Sequence, residues 1–544
     1  MRDENTSRTF SGKPISPGLG QGRTFTYRKD LRRFDEFYDI EASNIEAELK
    51  RFELAVAEVS RDLKDLANRV REEIDANLSA VFHAHIAMVN DTSLKAEVKK
   101  KIREDQVSAG SAISMIFRRW ERRFSSMEAE IAREEADDIH DLTQRLVLSL
   151  AGVRAHELEA RLSPGAVLVT SRLMPSDTIF LTGRKASAVV LETGGKASHA
   201  VLFAREMGLP CVAGIKGIVD AVPSGKPALV DADAGNVIIN PDQNEKKNFQ
   251  EECKRKDQVR LKARAHSHEP ATTKSGKVVS VFANVGQRED VCDAIKNGAD
   301  GIGLYRIENI YLGRQEPADY ACLLKEIWKT LAPAKGLPVY VRLLDIGADK
   351  PFPFKKKQRE SNPSLGRRGI RFLHEYPELL QTQLDVLLQL TSDFDLHVLV
   401  PMVTLTSDIQ SVKEHMRDAA TRTKTRAMPK LGAMIETPAA ALSAPAITVH
   451  ADFLSFGTND LTQYTFTADR ENIAVDAYFD DAHDVIFRLL RIVRDDAPQI
   501  PLSICGELAS RPEAISKILN CGITTLSVAP PSIPKVKEAV RNCH

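Results

Sequence analysis

The chain has 544 residues, a length that predicts three or four domains at about 150 residues per domain, or fewer if one is a large barrel. Its 75 basic residues balance its 75 acidic residues, and this zero net charge argues against a nucleic-acid-binding protein, because phosphate backbones require an excess of positive charge. Apolar residues make up 43% of the chain, which is enough for large cores and too much for a disordered protein.

The sequence also argues against membrane insertion and against secretion. No stretch approaches the 18 consecutive apolar residues of a membrane-spanning helix, and the first residues, MRDENTSRTF, lack the apolar core of a secretory signal. The seven cysteines are scattered without a Cys-x-x-Cys pair, so the sequence predicts neither a zinc site nor a disulfide framework. Together these features predict a cytoplasmic protein.

Residues 33–154 are predicted to form a helical subdomain. Apolar residues recur there at alternating intervals of four and three over more than three heptads, which is the spacing of a helix–helix seam. The residues of this series are Ile45, Leu49, Phe52, Val56, Val59, Leu63, Leu66 and Val70. Charged residues flank them, as is typical of an antiparallel helical hairpin or bundle.

The segments on either side, residues 1–32 and 155–240, are predicted to form one α/β domain into which the helical subdomain is inserted. Short apolar runs such as AVLVT and NVIIN alternate there with Gly and Pro, as in strands joined by turns. The segment SHAVLFAREMG predicts a helix between two glycine-containing turns. Residues 241–269 are almost all charged or polar and predict a solvated linker helix.

Residues 270–544 are predicted to form a (β/α)8 barrel of the TIM type, which makes the whole chain an α/β multidomain protein. Eight apolar, strand-like runs occur in this region, and helical patterns separate most of them. The runs are VVSVFANV (278–285), GIGLYR (301–306), VYVRLLDI (339–346), HVLVPMV (397–403), KLGAMIE (430–436), FLSFGTND (453–460), PLSICGE (501–507) and TTLSVAP (524–530).

Polar side chains stand at the ends of five of these runs. They are Arg306, Arg342, Glu436, the pair Asn459 and Asp460, and the pair Cys505 and Glu507. Because active sites in such barrels form at the carboxyl ends of the strands, we expect these side chains to share one mouth. Arginine forks bind phosphate and carboxylate groups, and two carboxylates with open positions suit Mg²⁺. The sequence therefore predicts a site for an anionic substrate and a divalent metal.

A second candidate site is the run GGKASHA at residues 194–200, which leads into the predicted helix. Two glycines let the backbone approach an anion, and the amino terminus of a helix supplies free N–H groups and positive potential. His199 in this position could carry a phosphoryl group. A lone histidine at such a position more often caps or packs against the helix start, so the pattern alone leaves both interpretations open.

The complete string GGKASHAVLFAREMGLPCVAG resembles the phosphohistidine motif of the phosphoenolpyruvate (PEP)-utilising enzymes. Six further motifs resemble the PEP-binding barrel of this family and follow in the same order: GADGIGLYRIE, VRLLDIGADKP, NPSLGRRGIR, MIETPAA, SFGTNDLTQYTFTADR and ICGELA. Within the family, the chain most resembles enzyme I of the sugar phosphotransferase system. Two helical motifs, VFHAHIAMVND and DDIHDLTQRL, look like the carrier-binding helices of enzyme I.

The resemblance implies roles for individual residues outside the substrate pocket. His199 would be the phosphorylated nucleophile, and Thr178 would orient it by a hydrogen bond. Cys505 would be the acid that protonates enolpyruvate. In the helical subdomain, His85 and Asp91 are candidate contacts for the carrier protein.

The resemblance also implies a substrate pocket at the barrel mouth. Its metal ligands for Mg²⁺ would be Glu436 and Asp460. The residues that would bind PEP are Arg306, Arg342, Asn459, Asp460 and Arg470.

The activity implied by the resemblance is transfer of the phosphoryl group of PEP to His199 and then to a histidine of an HPr-type phosphocarrier protein, with release of pyruvate. This is the first step of sugar uptake by the phosphotransferase system. The phosphohistidine domain would swing about the linker helix between the PEP barrel and the carrier. The resemblance further implies a homodimer formed through the barrel domain.

Departures from the family pattern keep two alternatives open. Ile307 and Asn309 replace a hydroxyl residue and a Phe, Glu135 stands where relatives often carry Arg, and the chain ends at His544, earlier than typical relatives. These differences are compatible with a regulatory or binding homologue that has lost catalysis, and the short end leaves dimerisation in question. The other alternative, an enzyme like PEP synthase or a dikinase, is disfavoured because the ATP-grasp domain of those enzymes is missing.

Overall fold

The computed structural model describes residues 6–27, 38–73, 79–125, 130–152, 162–173, 181, 186–193, 204, 207–311, 314, 316–347, 360, 362–425, 427–470 and 472–544. The chain divides into two compact units, one formed mainly by residues up to 254 and the other by residues from 255 onward. Each unit has its own hydrophobic core, as the burial of its apolar side chains shows.

The described residues of the helical region in the first unit form five helices. They are α1 (Ile45–Glu73), α2 (Ser79–Val89), α3 (Thr92–Asp105), α4 (Ala109–Ser125) and α5 (Glu130–Leu150). The predicted seam lies on α1, and all of its members from Leu49 to Val70 are buried in one core, with Ile45 packed against it. The heptad spacing therefore predicted this helix and its buried face correctly.

The remainder of the first unit is built around an eight-stranded sheet. Its strands in chain order are β1 (Arg8–Ser11), β2 (Lys13–Ser16), β3 (Leu19–Tyr27), β4 (Val167–Thr170), β5 (Ala188–Leu191), β6 (Cys211–Ala213), β7 (Pro227–Asp231) and β8 (Asn236–Ile239). Their order in the sheet is β1-β8-β7-β3-β4-β5-β6-β2, and β3 pairs in parallel with β4. Strands from both sides of the helical region thus share one sheet.

The second unit contains a closed barrel of eight parallel strands. They are β10 (Val278–Val285), β11 (Ile302–Arg306), β12 (Pro338–Arg342), β13 (Asp395–Val400), β14 (Lys430–Ile435), β15 (Phe453–Phe456), β16 (Leu502–Ile504) and β17 (Thr525–Val528). The first strand, β10, pairs with both β11 and β17 and so closes the barrel. Every predicted run contributes one strand, which confirms the barrel prediction. The two-residue strand β9 (Ala271–Thr272), which pairs antiparallel with β10, was not predicted.

Helices connect the strands in both units. After β6 they are α6 (Ile218–Ala221), α7 (Gln243–Ala265), α8 (Arg288–Lys296), α9 (Glu308–Tyr311), α10 (Tyr320–Leu331), α11 (Ile370–Glu375), α12 (Pro377–Leu390), α13 (Thr406–Thr423), α14 (Pro438–Leu442), α15 (Ala444–Thr448), α16 (Thr458–Phe466), α17 (Asp484–Asp496), α18 (Pro512–Asn520) and α19 (Ile533–Asn542). Helix α7 occupies the segment whose polar composition predicted a helix. Within the described part of the chain, no helix combines the length and the apolar character needed to cross a membrane.

The barrel interior is filled by side chains of unequal size. Leu304, Leu399, Met434, Phe453 and Cys505 form one buried cluster inside it. A glycine makes room for the largest member, because a Cβ atom at Gly432 would lie 2.1 Å from the Phe453 ring. Such filling makes the barrel a packed core and leaves chemistry to its mouth.

The buried face of α1 provides a direct test of the helical core. Leu63 is fully buried, whereas Leu54 on the same helix is 62% exposed. Leu63→Ala should lower the free energy of unfolding by about 2–5 kcal/mol, because it removes apolar contacts and leaves a cavity. The matched variant Leu54→Ala should change it by less than about 0.5 kcal/mol. Urea unfolding followed by circular dichroism measures both, and equal losses would contradict the assignment of the buried face.

Candidate functional site

The barrel brings the predicted polar side chains to one mouth. Arg306 and Arg342 are the last residues of β11 and β12, and Glu436 and Cys505 follow β14 and β16 directly. Asp460, with Asn459 beside it, lies in the first turn of α16, just after β15. Since all these strands are parallel, their carboxyl ends face the same side. The structure therefore brings these strand-end residues to one mouth, and their roles there stay predictions.

Two of the predicted site residues lie outside the described residues. They are His199, with the rest of the GGKASHA run, and Thr178. Their roles as nucleophile and orienting residue therefore stay predictions. Arg470, by contrast, lies just beyond α16, and its side chain is exposed. Its backbone N–H donates to Gln463 Oε1 at 3.1 Å.

Arg342 is held by a carboxylate at each terminal nitrogen. Its Nη2 donates to Glu308 Oε1 at 2.7 Å, and its Nη1 lies 2.9 Å from Asp345 Oδ2. All three residues are buried. Burial alone would lower the pKa of Arg342, but the charges of Glu308, Asp345 and Glu436 outweigh this effect and raise it. Arg342 is therefore a fixed positive charge at the mouth.

A second buried arginine, Arg368, lies between two carboxylates. Its Nη2 is 3.0 Å from Asp345 Oδ2, and its Nη1 is 2.9 Å from Asp460 Oδ1. Nη1 also donates to Tyr464 Oη at 3.1 Å, and this hydroxyl donates to the carbonyl of Ser364 at 2.6 Å. Burial tends to lower the pKa of Arg368, and the neighbouring acids raise it by more. The arginine thus stays charged and links the loop before α11 to α16.

Glu436 is a buried carboxylate that faces other acids. It is 1% exposed, and its Oε1 accepts a hydrogen bond from the backbone N–H of Met402. Met402 adopts a left-handed backbone conformation with φ of 54°, which is uncommon outside glycine and typical of functional loops. Burial, followed by the negative charges of Asp460 and Asp345, raises the pKa of Glu436 to about 8. The positive charges of Arg368 and Arg342 lower the pKa of Glu436, but by less than burial and the two acids raise it.

Two loops at the mouth approach each other closely. The backbone N–H of Glu507 donates to Asn459 Oδ1 at 2.9 Å. Gly506 permits this approach, because a Cβ atom there would lie 1.8 Å from Thr458 Oγ1. The side chain of Asn459 therefore ties the loop that contains Cys505 to the start of α16.

Cys505 points into the protein at the top of the barrel and is 5% exposed. Its Sγ lies 3.4 Å from the carbonyl of Phe456, to which it donates, and accepts from Ser455 Oγ at 3.6 Å. Burial raises the pKa of its thiol, and the charge of Glu436 adds to this, whereas the hydrogen bond from Ser455 and the charges of Arg342 and Arg306 oppose it. The net effect is a raised thiol pKa, so Cys505 is protonated at neutral pH.

Arg306 reaches the open side of the mouth. Part of its side chain is exposed. Surrounding protein nevertheless restricts the hydration of its guanidinium and lowers its pKa, and the positive charges of Arg342 and Arg470 lower it further. The positive charge of Arg306 is therefore repelled by those of Arg342 and Arg470. Such crowding of like charge favours the binding of an anion.

The carrier-contact candidates of the helical region differ in their exposure. The side chain of His85 is fully buried, and its Nε2 lies 3.0 Å from Asp138 Oδ1. This burial does not favour a direct contact of His85 with a docked protein. Asp91 is exposed at the start of α3, where its side chain accepts from the backbone N–H of Leu94 at 2.8 Å. Its role as a contact stays a prediction.

Sequence reasoning did not assign roles to several residues that shape the mouth. Glu308, Asp345 and Arg368 all lie within the motifs that carried the family resemblance, so their positions in those motifs were a usable signal. Met402 had no such signal, because its contribution comes from a backbone N–H group and a backbone angle.

The buried position of Arg368 allows a stability test. Arg368→Met should lower the free energy of unfolding by about 3–5 kcal/mol, because it leaves Asp345 and Asp460 without their shared counter-charge. The matched variant Arg422→Met breaks the more exposed pair of Arg422 Nη2 and Asp385 Oδ1, which are 2.8 Å apart. It should cost about 0–1 kcal/mol. Chemical unfolding measures both losses, and an equally small loss for Arg368→Met would contradict the network described above.

Comparison with known proteins assigns the chain to a family. Residues 260–544 match the PEP-binding domain of the PEP-utilising enzymes, residues 162–235 match their mobile domain, and residues 11–135 match their N-terminal region. These three matches occur in the order of the corresponding sequence motifs. The match to the PEP-binding domain covers all eight strands of the barrel.

Curated relatives agree with this assignment. A phosphoenolpyruvate-protein phosphotransferase of Bacillus sp. (strain S) is 34% identical over 505 residues, which are 90% of this chain and 86% of the relative. A protein of the same name from Haloferax volcanii is 33% identical over 545 residues, which are 98% of this chain and 94% of the relative. An NMR structure of Enzyme I is 24% identical, covers 46% of this chain and 99% of its own, and has a TM-score of 0.38, too low to support a conclusion. The chain is therefore an enzyme of the PEP-utilising family, in the group whose curated members are named phosphoenolpyruvate-protein phosphotransferase.

Proposed function

We propose that this chain transfers the phosphoryl group of PEP to its own His199, releases pyruvate, and then passes the group to a histidine of an HPr-type phosphocarrier protein. The observation that carries the proposal is the barrel mouth, where arginines, buried carboxylates and a protonated thiol converge. The names of the relatives support the same activity. The proposal places the enzyme at the first step of sugar uptake by the phosphotransferase system, in the cytoplasm.

The arginines would bind the two anionic groups of PEP. Arg342 is fixed by its ion pairs with Glu308 and Asp345, whereas Arg306 and Arg470 are exposed at the open side. Planar guanidinium groups donate paired hydrogen bonds to phosphate and to carboxylate oxygens. Asn459 would assist from the loop that its side chain ties to Glu507. Phosphoryl transfer depends mainly on such positioning and charge stabilisation.

Glu436 and Asp460 would hold a magnesium ion. Their oxygen donors suit this hard cation, and the raised pKa of Glu436 indicates a place where added positive charge is stabilising. The described residues contain no cluster of three or more His, Cys, Asp or Glu side chains arranged as a metal site. The fit therefore rests on this carboxylate pair, with substrate and water as the other ligands. When bound, Mg²⁺ supplies positive charge that stabilises the phosphoryl oxygens.

The transfer requires one bond to break and one to form. The bond between the phosphorus and the enol oxygen of PEP breaks, and a bond from phosphorus to His199 Nε2 forms. Neutral imidazole is a nucleophile near pH 7, so no separate base is needed. The leaving group is enolpyruvate, whose negative oxygen is stabilised by the nearby arginines.

Cys505 would complete the first half-reaction. Its thiol proton passes to C3 of enolpyruvate, which gives pyruvate and a thiolate, and solvent then returns the proton. The proposal needs a thiol that is protonated at working pH, and the raised pKa of Cys505 supports this.

We further propose that the carrier protein docks on the helical region and that the enzyme acts as a homodimer through its barrel domain. In the second half-reaction, the bond from His199 to phosphorus breaks and a bond to a histidine of the carrier forms. Asp91 is an exposed candidate for a carrier contact. Because one histidine serves two partners, the domain proposed at residues 1–32 and 155–240 would have to visit both.

The proposed phosphohistidine can be tested directly. Wild-type protein incubated with Mg²⁺ and PEP labelled in the phosphoryl group should acquire acid-labile label, and His199→Ala should acquire none, because it lacks the attacking nitrogen. The control His268→Ala alters an exposed histidine and should be labelled like wild type. Filter binding after acid and alkaline treatment measures the label. Absence of label on folded wild-type protein would contradict the proposal and favour a regulatory homologue.

The proposed proton donor has its own test. Cys505→Ala should slow pyruvate formation by about 10²–10⁴-fold, the usual contribution of a general acid. The matched variant Cys521→Ala removes another buried barrel thiol and should leave the rate unchanged. Pyruvate release can be followed with lactate dehydrogenase in the presence of a carrier.

The pH dependence of the same reaction gives an independent check. A proton donor works in its protonated form, and the raised pKa of Cys505 extends that form to higher pH. The wild-type rate should therefore not decline at the ordinary thiol pKa of about 8.5, but only above it. A decline near or below the ordinary thiol pKa would contradict the raised pKa of Cys505, and the same alkaline decline in Cys505→Ala would contradict its role as the proton donor.

A further inference from the structure

We propose that Asp345 is a positioning residue for PEP binding, whose carboxylate fixes Arg342 and Arg368 relative to each other at the barrel mouth. The inference rests on the proposed function, because it gives Asp345 a part in the same site. Asp345 lies in the loop that follows β12, and it is 7% exposed. It acts through the arginines and needs no contact with the substrate.

One carboxylate bridges both guanidinium groups. Asp345 Oδ2 lies 2.9 Å from Arg342 Nη1 and 3.0 Å from Arg368 Nη2. Asp345 Oδ1 is in addition 3.4 Å from Arg368 Nε. The two arginines come from different segments of the chain, the end of β12 and the turn before α11. The bridge therefore determines how far apart their positive charges lie.

The backbone of Asp345 is held in turn by a neighbouring strand. Its N–H group donates to Glu308 Oε1 at 3.0 Å, and the same oxygen accepts from Arg342 Nη2 at 2.7 Å. Glu308 follows β11 closely, so the loop after β12 is fixed to the end of β11. Arg342 consequently has one acid on each side and little rotational freedom.

The chain also provides room for this bridge. Gly369, next to Arg368, has a φ of 54°, and a Cβ atom there would lie 3.2 Å from Asp345 Oδ1 and 2.8 Å from Met402 Cβ. A side chain at this position would push against the carboxylate and strain the backbone. The absence of a side chain lets the segment with Arg368 approach Asp345 closely.

The physical consequence is preorganisation of the positive charge. Two guanidinium groups repel each other strongly in a poorly hydrated site, and a shared carboxylate offsets that repulsion. Side chains that are already fixed lose less conformational freedom when a ligand binds. Without the carboxylate, Arg342 would lose one of its two ion pairs and could move relative to Arg368, and PEP would have to order Arg342 again. The loss should appear mainly in PEP affinity.

The test compares Asp345→Asn with wild type in the full chain. The substitution keeps the size of the side chain and removes its charge. With both proteins carrying His199→Ala so that PEP binds without reacting, and with Mg²⁺ present, the PEP dissociation constant from titration calorimetry should rise by about 10–100-fold, the usual effect of altering a residue that orients a ligand-binding group. The maximal rate of labelling at saturating PEP, measured with His199 in place, should change much less. The control Asp385→Asn, which alters the pair with Arg422 outside the mouth, should leave PEP affinity unchanged.

A double-mutant comparison separates positioning from general structural damage. Arg368→Lys replaces the planar fork by a single ammonium group and so disrupts the bridge from its other end. If Asp345 acts through Arg368, the affinity loss in the double variant Asp345→Asn, Arg368→Lys should be much smaller than the product of the two single losses. If the affinity loss of the double variant equals the product of the two single losses, the two residues act independently, and the proposal is overturned.

A second variant and separate measurements of PEP binding and of labelling distinguish the role of Asp345 from phosphoryl transfer. If Asp345→Asn does not fold, Asp345→Glu keeps the charge but displaces it by one methylene group, and it should weaken PEP binding while the melting temperature stays near that of wild type. Unchanged PEP affinity in a folded variant would overturn the role of Asp345. Wild-type protein that binds PEP but never becomes labelled would overturn phosphoryl transfer, whereas weakened PEP binding in Asp345→Asn would still support the positioning role.

Discussion

A row of buried side chains, in which acids alternate with arginines, fixes the positions of the loops at the barrel mouth. The row runs Glu308, Arg342, Asp345, Arg368 and Asp460, and each neighbour in it is joined by an ion pair of 2.7–3.0 Å. A buried charge without a partner is costly, and removal of either arginine takes away the ion-pair partner of the acid at that end of the row. The row therefore couples the ends of β11 and β12 to α16. Arg342, which we propose to bind substrate, and Asp460, which we propose to bind the metal, thus depend on the same set of ion pairs.

The fold supplies the members of this row from distant parts of the sequence. Parallel strands bring their carboxyl ends to one side, so segments after β11, β12 and β15 can meet although the ends of β11 and β15, Arg306 and Phe456, are 150 residues apart. The packed barrel interior below them, with Phe453 lying over Gly432, gives these loops a rigid base. Rigid support is what a site for phosphoryl transfer requires, because its rate depends on the placement of charge.

Periodicity and spacing predicted the regular elements well and the irregular ones poorly. The heptad seam of α1 and the eight strand runs follow from repeated apolar positions, and each appears in the structure. Strand ends then predicted Arg342 and Glu436 at one mouth. The bridge by Asp345 joins two loops without periodicity, and the N–H of Met402 acts through a backbone angle, so neither could be read from spacing. Burial of His85 depends on tertiary packing, which motif resemblance does not report.

The most direct measurement of the central claim is isotope exchange between PEP and pyruvate. Full-length protein would be incubated with unlabelled PEP, carbon-labelled pyruvate and Mg²⁺, without any carrier protein. We expect label to enter PEP: labelled pyruvate would bind at the barrel mouth and lose a C3 proton to the Cys505 thiolate, and the enolate oxygen would then take the phosphoryl group back from the histidine. Folded protein that binds PEP but shows no exchange would contradict the account.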